Sequence, residues 1–295
     1  MFEKLTISVI ALCYNHSNFV IETLQSISDQ NIADLEVLVI DDHSEDDSFD
    51  KISKWINTNR FNWRYIRNSR NQGVSKTLNS AVQQVNGDFI KFISCDDILL
   101  PNAILNLHNF FKQQTQKCGM VFGDMEVINE SGTTISTSYL EDTGFSTDML
   151  KDPLFLNLSK KCFVPAPSTM LRRSVFNQIK FNEELLFEDW DFWLQLSKSY
   201  SFAFDKRPIV KYRRLQNSLF HSLTPAFRNS LMTMAFKNLH FNSDADFYFK
   251  KLIIDNAMIH YIHRGPDASL WMWRRFKYTR RLRDLYYYFK ALLIH

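Results

Sequence analysis

A chain of 295 residues with 45% hydrophobic and 23% charged residues has enough apolar material for one large or two small cored domains, which excludes a disordered or collagen-like chain. The formal net charge of +3 is too small to imply nucleic-acid binding by itself, and the basic excess collects near the C-terminus. Cys13, Cys95, Cys118 and Cys162 are scattered with no C-x-x-C pair, which argues against a zinc site or a disulfide framework and for a reducing compartment. Met1-Phe2-Glu3-Lys4 leads into a strand with no signal-peptide pattern, and no apolar stretch reaches the roughly 18 residues of a membrane span. The expected location is the cytoplasm, with peripheral attachment to the inner face of the cell membrane as an option for the tail.

Taken in order, residues 5–12 (LTISVIAL) read as a β-branched strand followed by the polar turn Cys13-Tyr14-Asn15-His16-Ser17-Asn18. Asn18 is placed to cap a helix over residues 19–28. A second strand over residues 35–40 (LEVLVI) ends in Asp41-Asp42-His43-Ser44, and a helix through Ile52 and Trp55 follows. A short third strand over residues 63–66 leads to Asn68-Ser-Arg-Asn-Gln-Gly73 and a helix over residues 74–85. Phe89-Ile-Lys-Phe-Ile93 reads as a buried strand of a parallel sheet with Asp96-Asp97 at its carboxyl end. Pro101 suits the first turn of the next helix, and residues 120–128 make a further strand. Strands alternating with helices of this length predict a doubly wound, mostly parallel α/β sheet.

The second half is less regular. Residues 161–171 are broken by prolines and read as a loop plus a strand; Glu188-Asp189-Trp190-Asp191 opens a helix; residues 202–212 read as another strand. From Pro225 on the pattern is helical. The expected organisation is one α/β domain over residues 1–224 and a helical extension over residues 225–295.

Open α/β sheets bind ligands outside the carboxyl ends of their strands. Adjacent carboxylates there are costly unless a cation, donor groups or water screen them, and carboxylate oxygens suit Mg²⁺ or Mn²⁺. Asp96-Asp97 alone reads equally well as an Asx turn or a helix cap. Polar residues at the ends of strands one, two and four weaken that reading, because such a sheet brings those ends together. Glu188-Asp189 suits general-base chemistry, or else a helix start favoured by the macrodipole. The first βα turn, CYNHSN, has no G-x-G-x-x-G, which speaks against a dinucleotide oxidoreductase. A receiver-like phosphoacceptor domain also groups carboxylates at strand ends, but the length and the late Glu-Asp pair speak against it. A nucleotide-binding protein with a degenerate, non-catalytic site is the alternative to an enzyme.

Four segments in this order, SVIALCYNHSNFVIETLQSI, EVLVIDDHSEDDS, NQGVSKTLNSAV with NGDFIKFISCDDILLP, and FEDWDFWLQL, resemble the inverting family 2 glycosyltransferases of the GT-A fold. The resemblance covers about residues 6–214. It implies a nucleotide-sugar donor, usually a UDP-sugar, a Mn²⁺ or Mg²⁺ ion, and transfer with inversion to a saccharide or lipid-linked saccharide, as in bacterial surface-polysaccharide assembly. It also implies roles: Asp97 as direct metal ligand, and Asp96 as a contact to donor ribose or sugar that shares the metal. Asp42 would hydrogen-bond the base with Tyr14 stacked on it and Leu12 beside it, and Asp41 would cap the following helix. Asn71 and Gly73 resemble the N-x-G turn near the nucleotide. Asp189 resembles the base, with Glu188 and Asp191 as further candidates. Arg213, Arg214 or His221 would close over the diphosphate. Two positions depart from the family pattern: Ser94 stands where an Asp is frequent, and Leu215 where a His is frequent.

The tail from Trp271 to His295 carries Arg274, Arg275, Lys277, Arg280, Arg281, Arg283 and Lys290 beside Trp271, Tyr278, Leu282, Leu285, Phe289 and Leu292 at three- and four-residue intervals. A basic amphipathic helix of this kind lies on an anionic membrane surface, or packs its stripe on the catalytic domain or on the partner in a homodimer.

Overall fold

The structure, a computed structural model, describes residues 6–30, 32–215 and 224–293. Its first half alternates strand and helix: β1 (Ile7–Cys13), α1 (Val20–Ser28), β2 (Glu36–Asp41), α2 (Ser48–Thr58), β3 (Arg64–Arg67), α3 (Val74–Val82) and β4 (Phe89–Ser94). Successive side chains of a strand point to opposite faces, and here both faces are covered. Val9 and Ala11 of β1 and Val37 and Val39 of β2 join one buried cluster with α1 and α2. Ile10, Leu38 and Ile40 join the other, with α3. A strand buried on both faces has no polar side, which is why these segments read as unbroken apolar runs.

The chain continues through β5 (Ile98–Leu99), α4 (Ala103–Lys112), β6 (Cys118–Ile128), β7 (Thr134–Ser136), α5 (Tyr139–Asp142), α6 (Leu154–Lys160), β8 (Thr169–Arg172), α7 (Asp189–Ser197) and β9 (Ser201–Arg213). The strands form one mixed sheet in the order β3-β2-β1-β4-β8-β6-β9-β5, with β7 on β6. The pairs β1–β2, β2–β3, β1–β4 and β6–β9 are parallel. Antiparallel β8 joins β4 to β6, and antiparallel β5 pairs with the far side of β9. Since β5 begins directly after the acidic pair, β9 reaches back to the tip of β4.

Two capping expectations fail locally. The first turn of α1 hangs on the His16 carbonyl, which accepts the N–H groups of Phe19 and Val20 at 2.9 Å each, and Asn18 makes no side-chain cap. Pro101 lies in the turn before α4, whose cap Asn102 is left-handed at φ 59°, so it is not in the first helical turn. The four cysteines are free thiols.

Four helices complete the chain: α8 (Pro225–Lys237), α9 (Ser243–Ile262), α10 (Ala268–Thr279) and α11 (Leu282–Leu292). Thr224 caps α8 by accepting the Phe227 N–H, with Pro225 at the position where a missing N–H is harmless. Asn242 caps α9 by accepting the N–H groups of Asp244 and Ala245. These helices have no separate core. Phe227, Met232, Phe249, Ile253, Trp271 and Met272 belong to the same buried cluster as Phe192 and Leu194 of α7 and Ile10 of β1. The tail is not one helix. Arg280, left-handed at φ 57°, ends α10, and a 3.0 Å pair between Arg275 and Asp284 ties α10 to α11. Trp271 is buried and its indole N–H donates to Asn229 at 2.6 Å, so the packing alternative describes α10. Among the described residues no helix is long and apolar enough to cross a membrane.

Trp271→Ala removes a fully packed indole and strands the Asn229 acceptor. It should cost about 3–5 kcal/mol of unfolding free energy. Urea midpoints check this, and a loss under about 1 kcal/mol would mean that α10 is only loosely attached.

Candidate active site

Strand register assembles the first part of the site. Leu12 of β1 lies level with Ile40 of β2 and Ser94 of β4. Two residues beyond that row the three chains leave the sheet at Tyr14, Asp42 and Asp96. The parallel sheet therefore gathers at one edge three residues that are far apart in sequence. Tyr14 is exposed there and Leu12 is partly covered.

Asp96 and Asp97 have different surroundings. The Asp97 carboxylate is buried and accepts the backbone N–H of Arg213 at 2.9 Å. Its own carbonyl accepts the Thr23 hydroxyl at 2.7 Å. Burial, then the neighbouring Asp96 charge, push the Asp97 acid well above the usual carboxylate range, against the Arg213 N–H bond and the charges of Lys91 and Arg213. Lys91 is itself fully buried in the middle of β4 and donates to the carbonyls of Phe92 and Pro167. Burial lowers its ammonium to about 7, and Asp97 opposes that shift. Asp96, by contrast, has a buried Oδ1 with no hydrogen-bond partner, 3.8 Å from the equally unpartnered Nδ1 of His16.

Arg213 holds this turn from the side. Its Nε donates to the Asp96 carbonyl at 2.9 Å, one terminal nitrogen to the Glu130 carbonyl at 2.9 Å, and the other to Glu22. The guanidinium also lies over the Phe19 ring, 4.7 Å from its centre. With every arm engaged and the side chain buried, Arg213 is a clamp on the acidic turn. Arg214, the next residue, is exposed. His221 lies outside the described residues.

At the end of β2, Asp42 receives the N–H groups of Gln72 at 3.0 Å and Gly73 at 2.8 Å, and the Asn68 amide at 2.7 Å. It thereby shapes the loop that Asn71 and Gly73 occupy. Asn71 accepts the same Gly73 N–H at 3.0 Å, while its residue stays exposed. Gly73 has φ 81°, and nothing lies near where a Cβ would be, so the backbone angle alone demands glycine. Asp41 closes a turn on Ser44, whose N–H it accepts at 2.9 Å; the cap position of α2 is Asp47. Asp41 therefore does not cap α2.

The second acidic pair begins α7. Glu188 is the cap residue and Asp189 the first helical one, and both are partly exposed. Recessed burial, then the Asp189 charge, raise Glu188 to about 7. Burial also raises Asp189, against the N–H bond it accepts from Trp190 at 2.6 Å. Tyr139 relates this pair to Arg214. Its phenol is raised by burial, Cys162 and Asp189 and lowered by Arg214, so Asp189 and Arg214 share its surroundings. Asp191 points elsewhere: it is buried and accepts from Asn238 at 3.3 Å and Lys237 at 3.5 Å, joining α7 to α8.

These residues fit a divalent cation. The Asp96 oxygen is an orphaned acceptor beside a second carboxylate, with an imidazole nearby, and carboxylate with imidazole is a donor set for Mn²⁺. Among the described residues no group of three or more His, Cys, Asp or Glu side chains forms a complete metal cage. Such a partial set suits an ion that shares its shell with substrate phosphates. Sequence reasoning passed over Lys91, Glu22, Tyr139, Cys162 and the orientation of His16. Only Lys91 carried a signal, as a lone charge in a strand read as fully buried.

The Glu188 shift has a sign that stability measurements can read. An acid near 4.5 in the unfolded chain and about 7 in the folded one leaves the native state binding more protons across that window. Its contribution to stability is therefore present at low pH and lost as pH rises, by at most about 1.4 kcal/mol per unit. Glu188→Gln should gain stability relative to the parent between pH 5 and pH 7.5, by roughly 1–3 kcal/mol. Parallel pH profiles of the two proteins would contradict the recessed placement of Glu188.

Comparison with known proteins gives the same arrangement a family. The family model described as glycosyl transferase family 2 matches residues 8–180. An uncharacterised glycosyltransferase of Methanocaldococcus jannaschii is 24% identical over 72% of this chain and 71% of its own length. The Campylobacter jejuni GalNAc(5)-diNAcBac-PP-undecaprenol beta-1,3-glucosyltransferase is 26% identical over 68% of this chain and 62% of its own. Other relatives, from Rickettsia, are longer, and the match spans about a third of their length. Among solved structures, S. aureus TarS in complex with UDP-GlcNAc superposes with a TM-score of 0.61 at 20% identity, over 97% of this chain and 79% of that one. The mannosyltransferase PcManGT from Pyrobaculum calidifontis, in complex with GDP-Man and Mn²⁺, gives 0.64 at 14% identity, over 100% and 82%. These likenesses carry the fold, GT-A. With more than half of its length matched by the family model, the chain belongs to glycosyl transferase family 2.

Proposed function

We propose that this glycosyltransferase moves a sugar from a UDP-sugar to a saccharide or lipid-linked saccharide acceptor, with inversion and with the help of Mn²⁺ or Mg²⁺. The observation that carries the reading is the unpartnered, buried Oδ1 of Asp96 at the edge where Tyr14 and Asp42 also leave the sheet. Its position supports Asp96 as the direct metal ligand, with His16 beside it. Asp97, one oxygen of which accepts the Arg213 N–H, is then the charge behind it. That reverses the order implied by the resemblance. A cation held there supplies Lewis-acid neutralisation of the leaving diphosphate.

The remaining roles belong to the chain's own side chains. Tyr14 offers an exposed ring for stacking on the base, beside Leu12. Asp42 holds the Asn71–Gly73 turn against the nucleotide and keeps carboxylate capacity for the base itself. Arg214, exposed where Arg213 is buried and engaged, is the arginine assigned here to the diphosphate. The acceptor hydroxyl attacks the anomeric carbon on the face opposite the leaving group, so one displacement inverts the centre. Its proton passes to Asp189, with Glu188 as the adjoining acid; the sugar–phosphate C–O bond breaks and UDP leaves with the electron pair. A recessed carboxyl pair in which burial raises both acids suits a general base and is not needed for binding, which favours an enzyme over a degenerate binder. TarS and PcManGT, solved with nucleotide sugars, support the donor class.

Thermal shift with UDP tests the metal role. UDP should stabilise the protein in Mn²⁺ and not in chelator, and Asp96→Ala should lose the difference. Equal UDP affinity in chelator and Mn²⁺ would overturn it. Asp189→Asn should keep UDP binding and lose about 10²-fold or more in kcat. Near-parental turnover would transfer the base role to Glu188.

A further inference from the structure

Helix α11 packs Tyr287 and Tyr288 on the core, yet it also carries an apolar row on its outer side. Asp284 and Ala291, seven residues apart and so on one side of the helix, are buried, and Asp284 is held by Arg275 and Thr279. On the opposite side Leu282, Tyr286, Phe289 and Leu293, spaced by four, three and four residues, are 79%, 54%, 56% and 86% exposed. Leu292 is exposed beside them. The surrounding side chains are cationic: Lys277, Arg280, Arg281, Arg283 and Lys290 are all exposed. Asp284 is the sole acid between residues 268 and 293, and it is sealed inside.

We propose that α11 is the chain's docking helix for an anionic lipid surface, with Leu282, Tyr286, Phe289 and Leu293 inserted among the acyl chains and the five cations at the headgroups. An apolar row bordered by Lys and Arg, with aromatic rings in the row, is what an interfacial helix presents. Charge selects the occupant. A second copy docked helix to helix by two-fold symmetry would bring two sets of the same five cations together, with no exposed acid among residues 268–293 to answer them. An anionic bilayer answers every one. The proposal also divides the tail: Trp271 and Met272 of α10 belong to the protein core, and α11 alone faces the lipid. It holds whether or not the acceptor is lipid-linked, and its test does not read sugar transfer.

The test is co-sedimentation of the full chain with vesicles of phosphatidylcholine alone and of phosphatidylcholine with phosphatidylglycerol in equal parts, at low salt and again at 0.5 M NaCl. Binding to the anionic vesicles should exceed binding to the neutral ones at least tenfold and fall at high salt. The triple variant Leu282→Ser, Phe289→Ser, Leu293→Ser removes only exposed side chains, so its melting temperature should match the parent while vesicle binding drops at least tenfold. Arg281→Glu with Lys290→Glu should lose the preference for anionic lipid. Equal binding to both vesicle types, or a triple variant that still sediments with anionic vesicles, overturns the proposal. So does sedimentation equilibrium showing a dimer that the triple variant dissolves, with vesicles indifferent to either.

Discussion

Two successive carboxylates at the tip of β4 impose the constraint on which the site depends. Like charges on adjacent residues repel, and burying one of them raises the cost steeply. The fold meets this with groups from distant parts of the chain: the Arg213 N–H on Asp97, the Arg213 guanidinium on the Asp96 carbonyl, and the Lys91 ammonium within the same strand. Glu22 and the Glu130 carbonyl in turn hold the guanidinium. For Arg213 to stand there, β9 must run parallel to β6 and pair with β5 just beyond the acidic turn. The irregular second half of the sheet thus has a physical purpose at the site.

The Glu188-Asp189 pair contains the same repulsion and resolves it differently. No lysine or arginine is bonded to either carboxylate among the described residues, and the shift goes into acidity, with Glu188 near 7. Two adjacent-carboxylate pairs, Asp-Asp and Glu-Asp, therefore acquire different chemistry from their surroundings. Asp97 accepts the Arg213 N–H on one oxygen, Asp96 keeps a buried oxygen with no partner, and burial raises both Glu188 and Asp189. Asp191, two residues further along α7, takes part in none of this because it is bonded to Asn238 and Lys237.

The first half of the fold was legible in the sequence because β1, β2 and β4 are covered on both faces and so read as apolar runs ending in polar turns. Two-residue β5 has no periodicity to read and forms only because β9 lies beside it. Asn18 and Pro101 obeyed local capping rules that turn geometry overrode, through the His16 carbonyl and the left-handed Asn102. The tail stripe continued in sequence straight through Arg280, where the backbone breaks, so one helix was read where two stand. In the site, Asp42, Asp96 and Asp97 were legible as strand-end carboxylates. Which acidic residue has a free oxygen was not, since Arg213 decides it from the other end of the domain.

In the proposed site the Asp96 oxygen, at the shared edge of β1, β2 and β4, holds a cation against a nucleoside diphosphate. Crystals grown with Mn²⁺ and UDP, with data collected at the manganese absorption edge, test it most directly. An anomalous peak is expected in contact with the Asp96 carboxylate, with the diphosphate beside it and the uracil against Tyr14 and Asp42. UDP bound at that edge with no manganese within reach of Asp96, or manganese bound elsewhere on the chain, would contradict it.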